Sequence, residues 1–254
     1  MGLFDWFRSK PECPVDPATR EWVDDRWAWL EGQFGVERIR KCSVILPRPE
    51  FFPDAYGGTE AGARQVLNRV CGYMDLDPAC IVMSLYDDQG PVAGHPMFGG
   101  QWQGTAGLYH PEDGKFRVWV EAANLHDPLA MVATMAHELG HVHLLGHGRI
   151  SGEAEDHEPL TDLLTVYFGL GAITANSVIR EQSWHEGNYS GWKIGRRGYL
   201  TMPIYGYALA RFARIRDEDG TCWSRELRPD VRVAFRQAMH FLSAEVAGPT
   251  GGSA

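Results

Sequence analysis

The residues with the clearest chemical meaning are His137, Glu138 and His141, which stand in the run His-Glu-Leu-Gly-His. Histidines four apart on a helix leave the same face, so their rings can converge on one tetrahedral divalent ion at about 2.0–2.1 Å. Glu138 projects beside them, where a carboxylate can hold a water and take its proton as a general base. Chance produces this pattern in a chain of such length on the order of 1% of the time, so a metal pair is the stronger reading than two core histidines.

The element that must carry these residues is a helix. Asp127 followed by Pro128 reads as an N-cap with proline in the first turn, and Gly146 is expected as the left-handed residue that ends the helix. A helix from Pro128 to about Leu145 is roughly 27 Å long. Leu129, Met131, Val132, Met135, Ala136, Leu139, Val142, Leu144 and Leu145 wrap nearly its whole circumference, which predicts burial. Two imidazoles and a carboxylate are thereby placed in a core, where polar groups without partners cost several kcal/mol.

A third ligand has to come from elsewhere. Glu158 and Asp162, again four apart, open another apolar helix with Leu160, Leu163, Leu164, Val166, Tyr167 and Phe168. One carboxylate of such a pair can ligate the ion while the other accepts a hydrogen bond from the free ring nitrogen of a ligand histidine. Glu153, Glu155, Asp156 and His157 are weaker candidates for the ligand and read best as a solvated acidic loop.

With these two motifs the chain resembles the gluzincin metallopeptidases, the thermolysin-like zincins defined by H-E-x-x-H and a later E-x-x-x-D. The resemblance covers about residues 116–179 and implies Zn2+ held by His137, His141 and Glu158, with Asp162 orienting a histidine and Glu138 catalytic. It also implies a strand along the cleft, matched by Arg117 to Glu121, that pairs with the substrate backbone. Two features depart from the group: only sixteen residues separate His141 from Glu158, and Pro159 holds Glu158 at or before the first helical turn. The rival third ligand is His147, at the offset seen in metzincins, although Leu144 stands where that family has a glycine. Zincins also place a donor opposite the metal to stabilise the transition state, for which His185, Tyr199, Tyr205 and Tyr207 are the candidates.

The frame around the site reads as α+β and zincin-like: a small mixed or antiparallel sheet in the N-terminal half, the active-site helix, then a helical C-terminal half. Residues 1–18 form a partly flexible leader and 19–247 a single domain, with an α/β lobe over 19–126 and a helical lobe over 127–247. Residues 248–254 form a disordered tail. Val23, Trp27, Leu30 and Phe34 lie on one helical face, closed by Gly32 and Gly35, and a second helix starts at Thr59. Cys42 to Leu46 and Ile81 to Tyr86 are expected strands, and Ala106–His110 with Phe116–Glu121 an expected hairpin.

The formal charge of −9 opposes binding to nucleic acid. Five widely spaced cysteines without a C-x-x-C pair fit reduced thiols in a cytoplasmic chain. The uncharged run between Asp162 and Arg180 fits a buried helix better than a membrane span. The expectation is a zinc metallopeptidase acting on a peptide or protein substrate. The alternative is a catalytically silent zincin-fold module that senses metal or binds a partner.

Overall fold

Asp16 accepts a hydrogen bond from the Thr19 backbone N–H at 3.0 Å and so caps α1 (Pro17–Phe34), whose inner face buries Val23, Trp27 and Leu30. Gly35, at φ 79°, ends it, whereas Gly32 lies within the helix. The computed structural model describes residues 11–86, 114–177, 179–186, 189–196 and 199–246. The remaining elements of the N-terminal part are α2 (Val36–Lys41) and α3 (Glu60–Tyr73), the latter capped by Thr59. Residues 42–46 do not form the expected strand. Their backbone is anchored instead by a hydrogen bond from the Ile45 N–H to the Gly169 carbonyl, with Ile45 and Leu46 buried and Pro47 and Pro49 following.

Strands β1 (Ile81–Tyr86) and β2 (Phe116–Glu121) pair in parallel, from Ile81 opposite Phe116 to Tyr86 opposite Glu121. The described part of the expected mixed or antiparallel sheet is thus a parallel pair, and the Ala106–His110 arm of the expected hairpin lies outside the described residues. Phe116, Val118 and Val120 alternate inward on β2, which packs against the helix carrying the histidines.

That helix is α4 (Pro128–His141), and Asp127 caps it as expected by accepting from the Ala130 N–H at 3.1 Å. It runs on through one π-helical turn, Val142–Gly146, closed by a bond from the His147 N–H to the Val142 carbonyl. The extra residue in that turn moves the left-handed position from Gly146 to Gly148, at φ 64°. Next come α5 (His157–Tyr167) and α6 (Gly171–Ser177). An antiparallel pair, β3 (Ile179–Glu186) with β4 (Tyr189–Arg196), then interrupts the half of the chain expected to be helical throughout. Helices α7 (Met202–Ile215), α8 (Thr221–Ser224) and α9 (Pro229–Val246) complete the order, and the expected tail at 248–254 lies outside the described residues.

Contacts divide the chain into two compact units, one built from Met1–Arg40 and Thr201–Ala254 and the other from Lys41–Leu200. The lobe boundary expected near residue 126 therefore falls inside the second unit. In the first unit α7 packs on α9 at Gly206, where an added Cβ would lie 2.7 Å from the Phe235 backbone nitrogen. In the second, α4 is central and touches α3, α5, α6 and β2. It lies tightly against α5 at Gly140, where an added Cβ would stand 2.8 Å from the Thr161 methyl. Among the described residues no helix is long and apolar enough to cross a membrane.

Candidate metal centre

Helix α4 supplies His137 and His141 one turn apart, and the bare backbone of Gly140 lets α5 come close enough to bring Glu158 against them. Pro159 does not displace the carboxylate. Asp156 occupies the cap position, so the proline falls within the first turn, where its missing N–H has no intrahelical partner to lose. His137 Nε2 and His141 Nε2 lie 3.0 Å apart, and Glu158 Oε2 is 3.1 Å from the first and 3.3 Å from the second. Among the described residues these three form the group of side chains able to share a metal ion. His147, by contrast, is exposed at the helix end, with its ring edge-on to Phe116 and Nδ1 accepting from Arg149 at 2.9 Å.

The other ring nitrogens are already engaged. His137 Nδ1 donates to Asp162 Oδ1 at 2.9 Å, which leaves Nε2 of the neutral ring as a lone pair. Asp162 is nearly buried, and its second oxygen accepts from the Tyr199 and Leu200 backbone N–H groups at 2.6 and 3.2 Å. His141 Nδ1 lies 3.3 Å from Thr161 Oγ1. With Nε2 unprotonated on both rings, two nitrogen lone pairs face one carboxylate oxygen, an arrangement that repels unless a cation lies between them.

Without a metal, a proton on the histidines can take that place. Burial alone would lower the His137 pKa, but hydrogen bonds to Asp162 and Glu158 outweigh it and hold the imidazolium well above its usual range. Burial likewise opposes ionisation of Glu158, yet the two histidines keep its carboxyl far below the ordinary range. A tetrahedral ion with bonds of about 2.0–2.1 Å spaces its ligand atoms about 3.3 Å apart, close to the separations found here, and would serve all three lone pairs. The donor set fits such an ion: two imidazoles and one carboxylate, with a position left for water or substrate.

Glu138 is partly buried on the same helix, and its charge reaches both His137 and Tyr199. The Tyr199 ring stacks on His137, with centroids 5.8 Å apart and planes 19° from parallel, while the residue stays 48% exposed. Burial, then the charges of Glu158, Asp162 and Glu138, push its phenol pKa up, so it keeps its proton as a donor. Tyr205 and Tyr207 belong to the other unit, where both are buried and Tyr207 donates to Asp24 at 2.9 Å. His185 stands on β3, and its side chain lies outside the described residues.

Two contributors carry more weight in the structure than in the sequence, His157 as a weaker candidate there and Thr161 as none at all. His157 is not part of a solvated loop: its side chain is 15% exposed, Nδ1 donates to the Ala154 carbonyl at 2.7 Å, and Nε2 lies 3.3 Å from Glu158 Oε1. Thr161 is fully buried against His141. Its position between Glu158 and Asp162 was the available signal. Compared with known proteins, the chain matches no family model, no curated protein and no solved structure.

Proposed function

We propose that the chain is a zinc-dependent hydrolase, a metallopeptidase in which His137, His141 and Glu158 hold Zn2+. The observation that carries this reading is the convergence of three lone-pair atoms within 3.0–3.3 Å of one another in the protein interior. Bound zinc supplies Lewis acidity, which polarises a carbonyl and makes a water acidic enough to be deprotonated near neutral pH.

The chain's own groups do the rest. Glu138 accepts the proton of the attacking water on its carboxylate and returns it to the leaving amine nitrogen. Asp162 holds His137 in the tautomer that presents Nε2. Tyr199, with its proton retained, donates to the carbonyl oxygen as negative charge develops there. Strand β2 offers backbone groups to an extended peptide, the role implied by the gluzincin resemblance.

Glu138→Gln tests this reading. Zinc content should stay at one ion per chain while hydrolysis of a peptide library falls by about 10²–10⁴-fold, the usual worth of a general base. A variant that cleaves at the wild-type rate rejects the mechanism. Wild-type protein that holds zinc yet cleaves nothing supports the silent metal-binding module instead.

A further inference from the structure

Adjacent residues of α5 face the two histidines of α4. Asp162 takes Nδ1 of His137, and Thr161 lies against Nδ1 of His141. The first contact is with a carboxylate, which can only accept. The second is with a hydroxyl, which could donate or accept, so its direction decides which nitrogen of His141 carries the proton.

The direction follows from the other end of the hydroxyl. Thr161 Oγ1 donates to the His157 carbonyl at 2.7 Å, the bond to the preceding turn that a helical threonine readily makes. A hydroxyl has one proton, and this one is committed, so Thr161 can only accept from His141. We propose that Thr161 is the positioning residue for the second histidine: its oxygen takes the His141 Nδ1 proton and thereby fixes Nε2 as the free donor toward the ion. The proposal rests on the metal-centre reading and adds to it a third function for one short helix. Glu158 ligates, Asp162 orients His137 and Thr161 orients His141.

Thr161 also packs its methyl against Gly140, so packing and hydrogen bonding have to be separated. Two substitutions do so. Thr161→Val keeps the branched shape and removes the hydroxyl, whereas Thr161→Ser keeps the hydroxyl and removes the methyl. Zinc affinity of the full chain is measured by competition with a chromophoric chelator. Loss of such an orienting partner weakens binding about 10–100-fold, so Thr161→Val should fall in that range and Thr161→Ser should stay within about threefold of wild type.

A Thr161→Val protein that binds zinc as tightly as wild type overturns the proposal, and so does a Thr161→Ser protein as weak as the valine variant. Long-range ¹H–¹⁵N correlation spectra of the metal-free wild type, in which zinc does not itself dictate the tautomer, decide the matter even if the valine variant fails to fold. The proton of His141 should sit on Nδ1, and a proton on Nε2 overturns the assignment. Wild-type protein that takes up no zinc at all removes the metal centre itself, a result distinct from normal uptake with an indifferent Thr161.

Discussion

Each unit of this protein contains a cluster of polar side chains, partly exposed in the first and largely buried in the second, and the two clusters are built on opposite principles. In the first unit Asp24 accepts from the Tyr207 hydroxyl and from Arg211, has Arg20 at 3.4 Å, and Arg20 in turn bonds Glu245 at 2.8 Å. That cluster carries its own cations, so it ties α1 to α7 and α9 without outside help. In the second unit Glu158, Asp162 and Glu138 surround two imidazoles with no lysine or arginine in the group that could hold a metal. A set that is satisfied internally is structural, whereas a set that collects lone pairs is completed by an ion.

The sharpest way to break this contrast is to remove a ligand. His141→Ala should weaken zinc binding by about a thousandfold or more and abolish turnover, as judged by metal analysis after gel filtration and by peptide hydrolysis. Retention of stoichiometric zinc would make the two clusters alike.

Next come the two glycines at helix crossings. Gly140→Ala drives a Cβ into Thr161, and overpacking of this kind costs about 1–3 kcal/mol. Because it parts α4 from α5, it should also weaken zinc binding. Gly206→Ala collides with Ala234 and the α9 backbone and should destabilise its unit while leaving zinc uptake unchanged. Denaturant unfolding beside zinc titration tests both, and equal effects of the two substitutions on zinc would erase the distinction.

A smaller effect should appear with pH. The raised His137 pKa means that the metal-free site holds a proton that zinc has to displace. Below that pKa apparent zinc affinity should fall about tenfold per pH unit, and it should level off above it. The sign for the metal-free protein is the reverse: the protonated ring contributes stability at low pH that is lost as pH rises through its elevated value. Calorimetric titration at several pH values, with the released protons counted from buffer ionisation heats, measures the coupling. Affinity that does not change with pH contradicts it. The smallest change is Tyr207→Phe, which removes one of several hydrogen bonds to the partly exposed Asp24 carboxylate, costs about 1–1.5 kcal/mol in denaturant unfolding and leaves zinc alone.

The residues legible in the sequence were those whose positions depend on local rules. Asp127 and Pro128 start α4 through a cap that needs only its own turn, and the fourfold spacing of His137 with His141 and of Glu158 with Asp162 puts each pair on one helix face. What was not legible depends on partners distant in the chain. β2 pairs in parallel with a strand thirty-five positions earlier, and residues 42–46 look like a strand but bond to Gly169. The π-turn at Val142–Gly146 has no signature in residue type, and it moved the helix end from Gly146 to Gly148. Tyr199 is one of several equivalent aromatics in the sequence, and the N–H groups of Tyr199 and Leu200, donating to the Asp162 carboxylate, hold it over His137. Thr161 reads as an ordinary helical threonine, because its role exists only once α4 lies against α5.

Crystals of the full chain grown with zinc, and diffraction recorded on both sides of the zinc absorption edge, test the central claim most directly. The account predicts one strong anomalous peak within bonding distance of His137 Nε2, His141 Nε2 and a Glu158 carboxylate oxygen. A map with no peak there, or with its peak bound by His147 in place of Glu158, would contradict it.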